Sequence, residues 1–301
     1  MRIATMQVFQ RGLDSMLDQQ TQLYKTQLQL SSGQRFTSPA DDPTAAAQVL
    51  GLSESIAITT QYQTNAKTAE KTLTLEEVTL DGVVDALQRA RELAVGTIND
   101  TRSDVERNAA AQEIRQLMDH ILSLANTRDE NGEYIFAGFQ SRAQPFAHDG
   151  LGTFSFNGDQ GQRQIQIGPS RTVAVGDSGF DVFMKIENAD GSGYQDVFTT
   201  LHTLATDLEA NNPDPSSITA IDKAMDNVLS ARTNIGARLN ALEREDQVNI
   251  AYSLQLETTR SQVQDLDMAQ ASVDLNRQML VLQAAQQAFV KVQGLSLFNY
   301  L

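Results

Sequence analysis

Residues 6–30 read MQVFQRGLDSMLDQQTQLYKTQLQL, and residues 268–292 read MAQASVDLNRQMLVLQAAQQAFVKV. In the first stretch Phe9, Met16, Leu23 and Leu30 recur at every seventh position. Met6 and Leu13 stand three residues ahead of the first two, and Gln20 and Gln27 continue that second line. In the second stretch Met268, Leu275, Leu282 and Phe289 recur in the same way, beside Ala271, Ala285 and Val292, with Gln278 as a polar interruption. Sustained seven-residue spacing predicts helices that pack on other helices at shallow angles. A stretch of about 25 residues makes a helix of roughly 37 Å. Neither stripe stabilises its helix alone, because an isolated helix is marginal in water. Two arrangements follow: the seams pair inside one chain, or they order on meeting neighbouring copies.

Working inward, the punctuation changes. All six prolines lie between residues 39 and 215, and eleven of the eighteen glycines lie between Gly132 and Gly193. Ten of the eighteen aromatics fall between Tyr134 and Phe198, so this window combines turn formers with strand formers. Within it TFSFNGD and RQIQIG alternate apolar and polar residues, with turns expected at Asn157-Gly158 and Asp177-Ser178-Gly179. Outside it the chain is rich in good helix formers. Two helices are expected over Leu52–Asn126, the second opened by a Ser103/Glu106 capping box, and another over Ile218–Leu256. The predicted fold class is mainly α: a long antiparallel helical bundle or coiled-coil rod built from both chain ends, with a small β-rich insertion.

Charge is distributed in keeping with that plan. The 301 residues carry 38 acidic and 23 basic groups, a net −15, which argues against a nucleic-acid partner needing clustered Lys and Arg. Residues 1–40 hold four basic and two acidic groups, and residues 275–301 hold Arg277 and Lys291 with no acid, leaving −19 on the residues between. Scarce charge and regular apolar spacing at both ends suit a buried assembly surface. No cysteine is present, which excludes disulfides, thiolate metal sites and a cysteine nucleophile. The opening MRIATMQVFQRGLDSM lacks the continuous apolar core of a secretory signal, and no apolar run approaches the roughly 20 residues of a membrane span. Membrane insertion is not expected.

Four features could suggest chemistry. Gly176-Asp177-Ser178-Gly179 has the look of a serine nucleophile loop, but His120, His148 and His202 stand in no context suggesting a base. Asp190-Gly191-Ser192-Gly193 lacks the ligand order of a calcium loop, and three scattered histidines make no zinc motif. Asp41-Asp42, followed by Pro43, reads as helix punctuation rather than an acid–base couple. No catalytic residue, cofactor or metal ligand is predicted.

Several segments resemble one family. Leu30-Ser31-Ser32-Gly33-Gln34-Arg35-Phe36 running into Ser38-Pro39-Ala40-Asp41-Asp42-Pro43 is similar to the LSSG-x-R…ADDP segment of bacterial flagellins and their relatives. Tyr134-Ile135-Phe136-Ala137-Gly138 with Pro145-Phe146, the stretch Phe156–Arg163, Gly179–Phe183, and Ile235–Glu243 resemble further family segments in the same order. The opening Met1-Arg2-Ile3-Ala4-Thr5 and the closing Leu295-Ser296-Leu297-Phe298-Asn299-Tyr300-Leu301 look like those of relatives that join the flagellar hook to the filament. A filament-subunit isoform, which shares nearly every motif, is the alternative.

The resemblance implies a structural role, export unfolded through the flagellar type III apparatus without a cleaved signal, and a place in the extracellular flagellum. It implies as partners further copies of the same chain in a ring, flagellin, a hook-side junction protein, and an export chaperone on the C-terminal segment. It further implies a division of the chain: 1–45 and 265–301 as a terminal coiled-coil assembly domain, disordered in the monomer; 46–133 and 197–264 as a helical core; and 134–196 as a β-rich outer domain. The expected assembly residues are Met6, Phe9, Leu13, Met16, Leu23 and Leu30 at one end. At the other they are Met268, Leu275, Leu282, Phe289 and Val292, followed by Leu297, Phe298 and Leu301.

Overall fold

The computed structural model describes residues 2–98, 103–150, 152–188 and 193–294, without the side chains of residues 2–6, 8 and 292–294. Six helices carry the chain: α1 Arg2–Ser32, α2 Pro43–Thr97, α3 Asp104–Ala125, α4 Val197–Glu209, α5 Ser216–Gln264 and α6 Met268–Gly294. The strands between α3 and α4 form three separate antiparallel hairpins: β1 Phe146–His148 with β2 Phe154–Phe156, β3 Gln164–Gly168 with β4 Arg171–Ala174, and β5 Ile186–Glu187 with β6 Tyr194–Gln195. The mainly helical architecture with a small strand-bearing insertion is the one expected.

Local chemistry accounts for the breaks. Gly33 ends α1 in the left-handed region (φ 71°), where a residue bearing a Cβ is strained. Asp42 accepts the Ala45 N–H at 2.9 Å and Pro43 supplies the first helical position of α2, so this punctuation is a helix cap. The Ser103 capping box is formed: Glu106 accepts the Ser103 N–H at 3.0 Å while the Ser103 hydroxyl accepts the Glu106 N–H. Asp267 accepts the N–H groups of Ala269 and Gln270, both at 3.0 Å, at the head of α6.

The chain divides into two compact units, Met1–Ile58 with Tyr252–Leu301, and Thr59–Ala251. In the first, α1 and α6 pack antiparallel. Phe9 meets Phe289 near one end, and at the other Gln34 bridges Asp265, with the Arg35 N–H donating to Gln264 O at 2.8 Å. Buried side chains among its described residues are few: Thr26, Phe36, Ala45, Leu256 and Ala271.

The second unit holds one continuous apolar core. α2 supplies Leu73, Leu80, Val83 and Leu87, α3 supplies Ile114 and Ile121, α4 Leu201 and Leu204, and α5 Ile221 and Val228. The hairpins share this core through a cluster of aromatic rings: Phe146 lies 5.3 Å from Phe198 and 5.4 Å from Phe183, and Phe136 lies 5.2 Å from Phe183. Helices and strands are also tied by polar links, such as Asn249 Nδ2 to Ile167 O at 2.9 Å and Arg171 to Glu245 at 2.8 Å.

Turn positions differ from expectation. Between β1 and β2 Asp149 accepts the Thr153 N–H at 3.0 Å, and the second hairpin reverses through Pro169 and Ser170. Asn157-Gly158 instead follows β2, and a Cβ on Gly158 would lie 2.9 Å from Ala137 O, so that glycine serves close packing. Asp177-Ser178-Gly179 is a buried loop leading into a π-helical turn, Phe180–Met184, rather than an exposed reversal.

Candidate functional site

The apolar faces of α1 and α6 are the candidate site. The half-buried and buried positions of α1 include Gly12, Met16, Gln19, Leu23, Thr26 and Leu30. Those of α6 include Ala271, Leu275, Gln278, Leu282, Ala285 and Phe289. Both series alternate steps of three and four, the spacing of a seam between two helices. The Phe9 and Phe289 rings are 4.5 Å apart, and Gly12 lies against the Phe289 ring. Met16, Leu23, Leu30, Leu275, Leu282 and Phe289 therefore lie on the faces along which α1 and α6 pack within one chain.

One flank of the seam differs from the reading of the sequence. Gly12, Gln19 and Thr26 accompany the Phe9 line, whereas Leu13, Gln20 and Gln27 are exposed. A helix places residues three before and three after a given position on its two opposite flanks, so periodicity fits both choices. The packed flank is the one carrying Gly12, which lies against the Phe289 ring. Met268 also stands apart from its line, 49% exposed, as the first residue of α6. The Met6 and Val292 side chains, and Leu297, Phe298 and Leu301, lie outside the described residues.

A second apolar face remains uncovered. Leu13, Leu17, Tyr24 and Leu28 follow at intervals of four, seven and four, a single stripe on α1, with Leu17 52% and Tyr24 63% exposed. On α6, Val273 and Leu280 lie seven apart and are both exposed. Leu17, Tyr24 and Leu28 are not among the expected assembly residues, because the Phe9 line takes the heptad. Their own spacing, read as a second stripe, was the available signal. Such a surface binds by burial of apolar area, not by chemistry.

The polar groups around it are structural. Lys25 Nζ pairs with Asp41 at 2.7 Å, and this contact, helped by the N–H groups of Ser38 and Thr37, holds the Asp41 carboxyl below its usual range. Gln278 Oε1 is buried within the unit without a partner, a polar point on the seam face of α6. In the other unit Ser178 is fully buried; its hydroxyl donates to Asp159 O at 3.1 Å and accepts the Phe180 N–H. That is a loop-fastening role. Among the described residues no three His, Cys, Asp or Glu side chains converge as a metal site, and no helix is long and apolar enough to cross a membrane.

Comparison with known proteins bears on the same helices. The bacterial flagellin N-terminal helical region matches residues 3–141, and the bacterial flagellin C-terminal helical region matches residues 218–301. The chain is 33% identical to flagellar hook-associated protein 3 of Salmonella typhimurium and 33% identical to that of Escherichia coli, in each case over 99% of both chains. Among solved structures it is similar to a protein from Vibrio parahaemolyticus described as a flagellar hook-associated protein, with 25% identity and a TM-score of 0.67 over 75% of this chain and 100% of that one.

Proposed function

We propose a role from one premise: this chain belongs to the flagellar hook-associated protein 3 family, a branch of the flagellin-like proteins. It is a structural component of the bacterial flagellum, the distal adaptor of the hook–filament junction, between a hook-side junction protein and the flagellin filament. The match over 99% of both chains carries this reading and favours it over a flagellin isoform.

Copies of the chain form a ring or short zone through their terminal helices. Residues 1–45 and 265–301 serve as the assembly domain, 46–133 and 197–264 as the helical wall, and 134–196 as the outward part. The uncovered stripe of Leu13, Leu17, Tyr24 and Leu28 supports this reading, since a long amphipathic helix with two apolar faces has one more than α6 covers. The seam residues then order the helix pair, and the outer stripe meets the neighbouring subunit. The terminal segments are disordered before assembly and fold on it, offsetting the ordering entropy by burial. Export runs through the type III apparatus without signal cleavage, with a chaperone on the C-terminal segment, and delivers the chain to the extracellular flagellum.

Deletion of the gene, with microscopy of the cells and assay of flagellin in the medium, tests the role. Bare hooks with flagellin lost as soluble monomer are expected. Normal filaments would overturn it in favour of the isoform.

A further inference from the structure

Glu76 stands in the wrong place for a glutamate. It lies on the core-facing line of α2 that runs through Ala69, Leu73, Leu80, Val83 and Leu87, and it is fully buried. Its Oε1 accepts the Asp177 N–H at 2.9 Å, which leaves Oε2 buried with no partner. Asp177, from the loop after β4, is buried too. Its Oδ1 accepts from Arg238 of α5 at 2.7 Å and from Gln162 at 2.9 Å, while its Oδ2 is buried and unpartnered. Three elements thus meet at two carboxyl groups and one guanidinium.

We infer that Glu76, Asp177 and Arg238 form a proton-operated latch, fastening the loop and the π-helical turn that follows it to helices α2 and α5. Arg238 offsets one negative charge, that of Asp177. The second carboxyl remains in the apolar core only as the acid, with its proton on the free Oε2. The charged groups acting on Glu76 are Asp177 from the loop and Arg238 from α5. Glu77, next to Glu76 in sequence, pairs with Arg232, which also binds Asp81, and Arg163, next to Gln162, pairs with Glu133. Loss of the proton puts two carboxylates against one guanidinium inside the apolar core, and the excess charge drives the loop to open toward solvent. The inference is independent of the assembly role.

Burial, reinforced by the Asp177 charge, raises Glu76 from 4.5 to about 8. The unfolded chain loses this proton near 4.5 and the folded chain retains it until about 8, so folding takes up one proton between those values. The contribution is fully present below the lower value and declines as pH rises, by up to about tenfold in the folding equilibrium constant per pH unit. Above the upper value it is gone.

Urea unfolding of the full chain from pH 4 to 9.5, alongside Glu76→Gln, reads this directly. The wild type is expected to lose stability relative to the variant across the window and to run parallel to it above. Amides of residues 175–184 are expected to exchange faster at pH 9 in the wild type, after correction for intrinsic exchange. Curves parallel throughout would overturn the latch. Should the variant fail to fold, carboxyl-carbon NMR of the wild type answers alone: a glutamate titrating near 8 is expected, and a full set titrating near the ordinary value refutes the proposal.

Discussion

The two units solve opposite problems. Residues 59–251 bury aromatic rings, four helices and three hairpins in one core, whereas the terminal unit buries five side chains among its described residues and leaves apolar stripes in solvent. Fully burying a Leu, Ile or Phe stabilises by roughly 1.5–3 kcal/mol, so the difference in core content is a difference in independent stability. The middle is built to fold by itself. The ends keep apolar stripes exposed that a neighbour could cover, as the proposed assembly role requires.

The comparison breaks most readily under hydrogen exchange of the free chain. Amides of α1 and α6 should exchange orders of magnitude faster than those of α2 within residues 66–94 and of α3, since local opening follows contact density. Equal protection would erase the contrast. Next in size, Phe198→Ala removes a ring shared by Phe146, Phe154 and Phe183 and should cost about 3–5 kcal/mol in urea unfolding. A loss below about 1 kcal/mol would mean that the aromatic cluster is not the centre of the middle unit. Ser103→Ala, which removes the α3 cap, should cost about 1 kcal/mol by the same measurement. Smallest in the monomer is Leu28→Ser on the uncovered stripe of α1, expected within about 0.5 kcal/mol of wild type. That variant should nonetheless reduce incorporation into the junction, scored by filament-bearing cells, and undiminished incorporation would remove the stripe from the assembly surface.

Much of this was legible in the sequence, and the failures have physical causes. The Phe9–Leu30 and Leu275–Phe289 lines were visible because a seam between two helices needs one large residue per two turns. Which flank accompanies Phe9 was not, since Leu13 and Gly12 are each acceptable by spacing and the choice belongs to the partner ring. The strands in TFSFNGD and RQIQIG followed from alternation, but their reversals depend on which strands pair, a tertiary fact. Glu76 was hidden among its neighbours, for Leu75-Glu76-Glu77-Val78 reads as a solvated charge pair until the 69–73–76–80–83 line is traced through it.

Gly12 has one more consequence. A methyl group there would sit 3.5 Å from the Phe289 ring, an ordinary contact, so packing does not demand glycine. Glycine nevertheless costs a helix interior about 0.5–1 kcal/mol relative to alanine, because the unwound chain has more freedom to lose. The residue therefore lowers the intrinsic stability of α1, and the helix depends the more on the surface it packs against. Alanine at position 12 would make α1 less dependent on its neighbours without disturbing the seam.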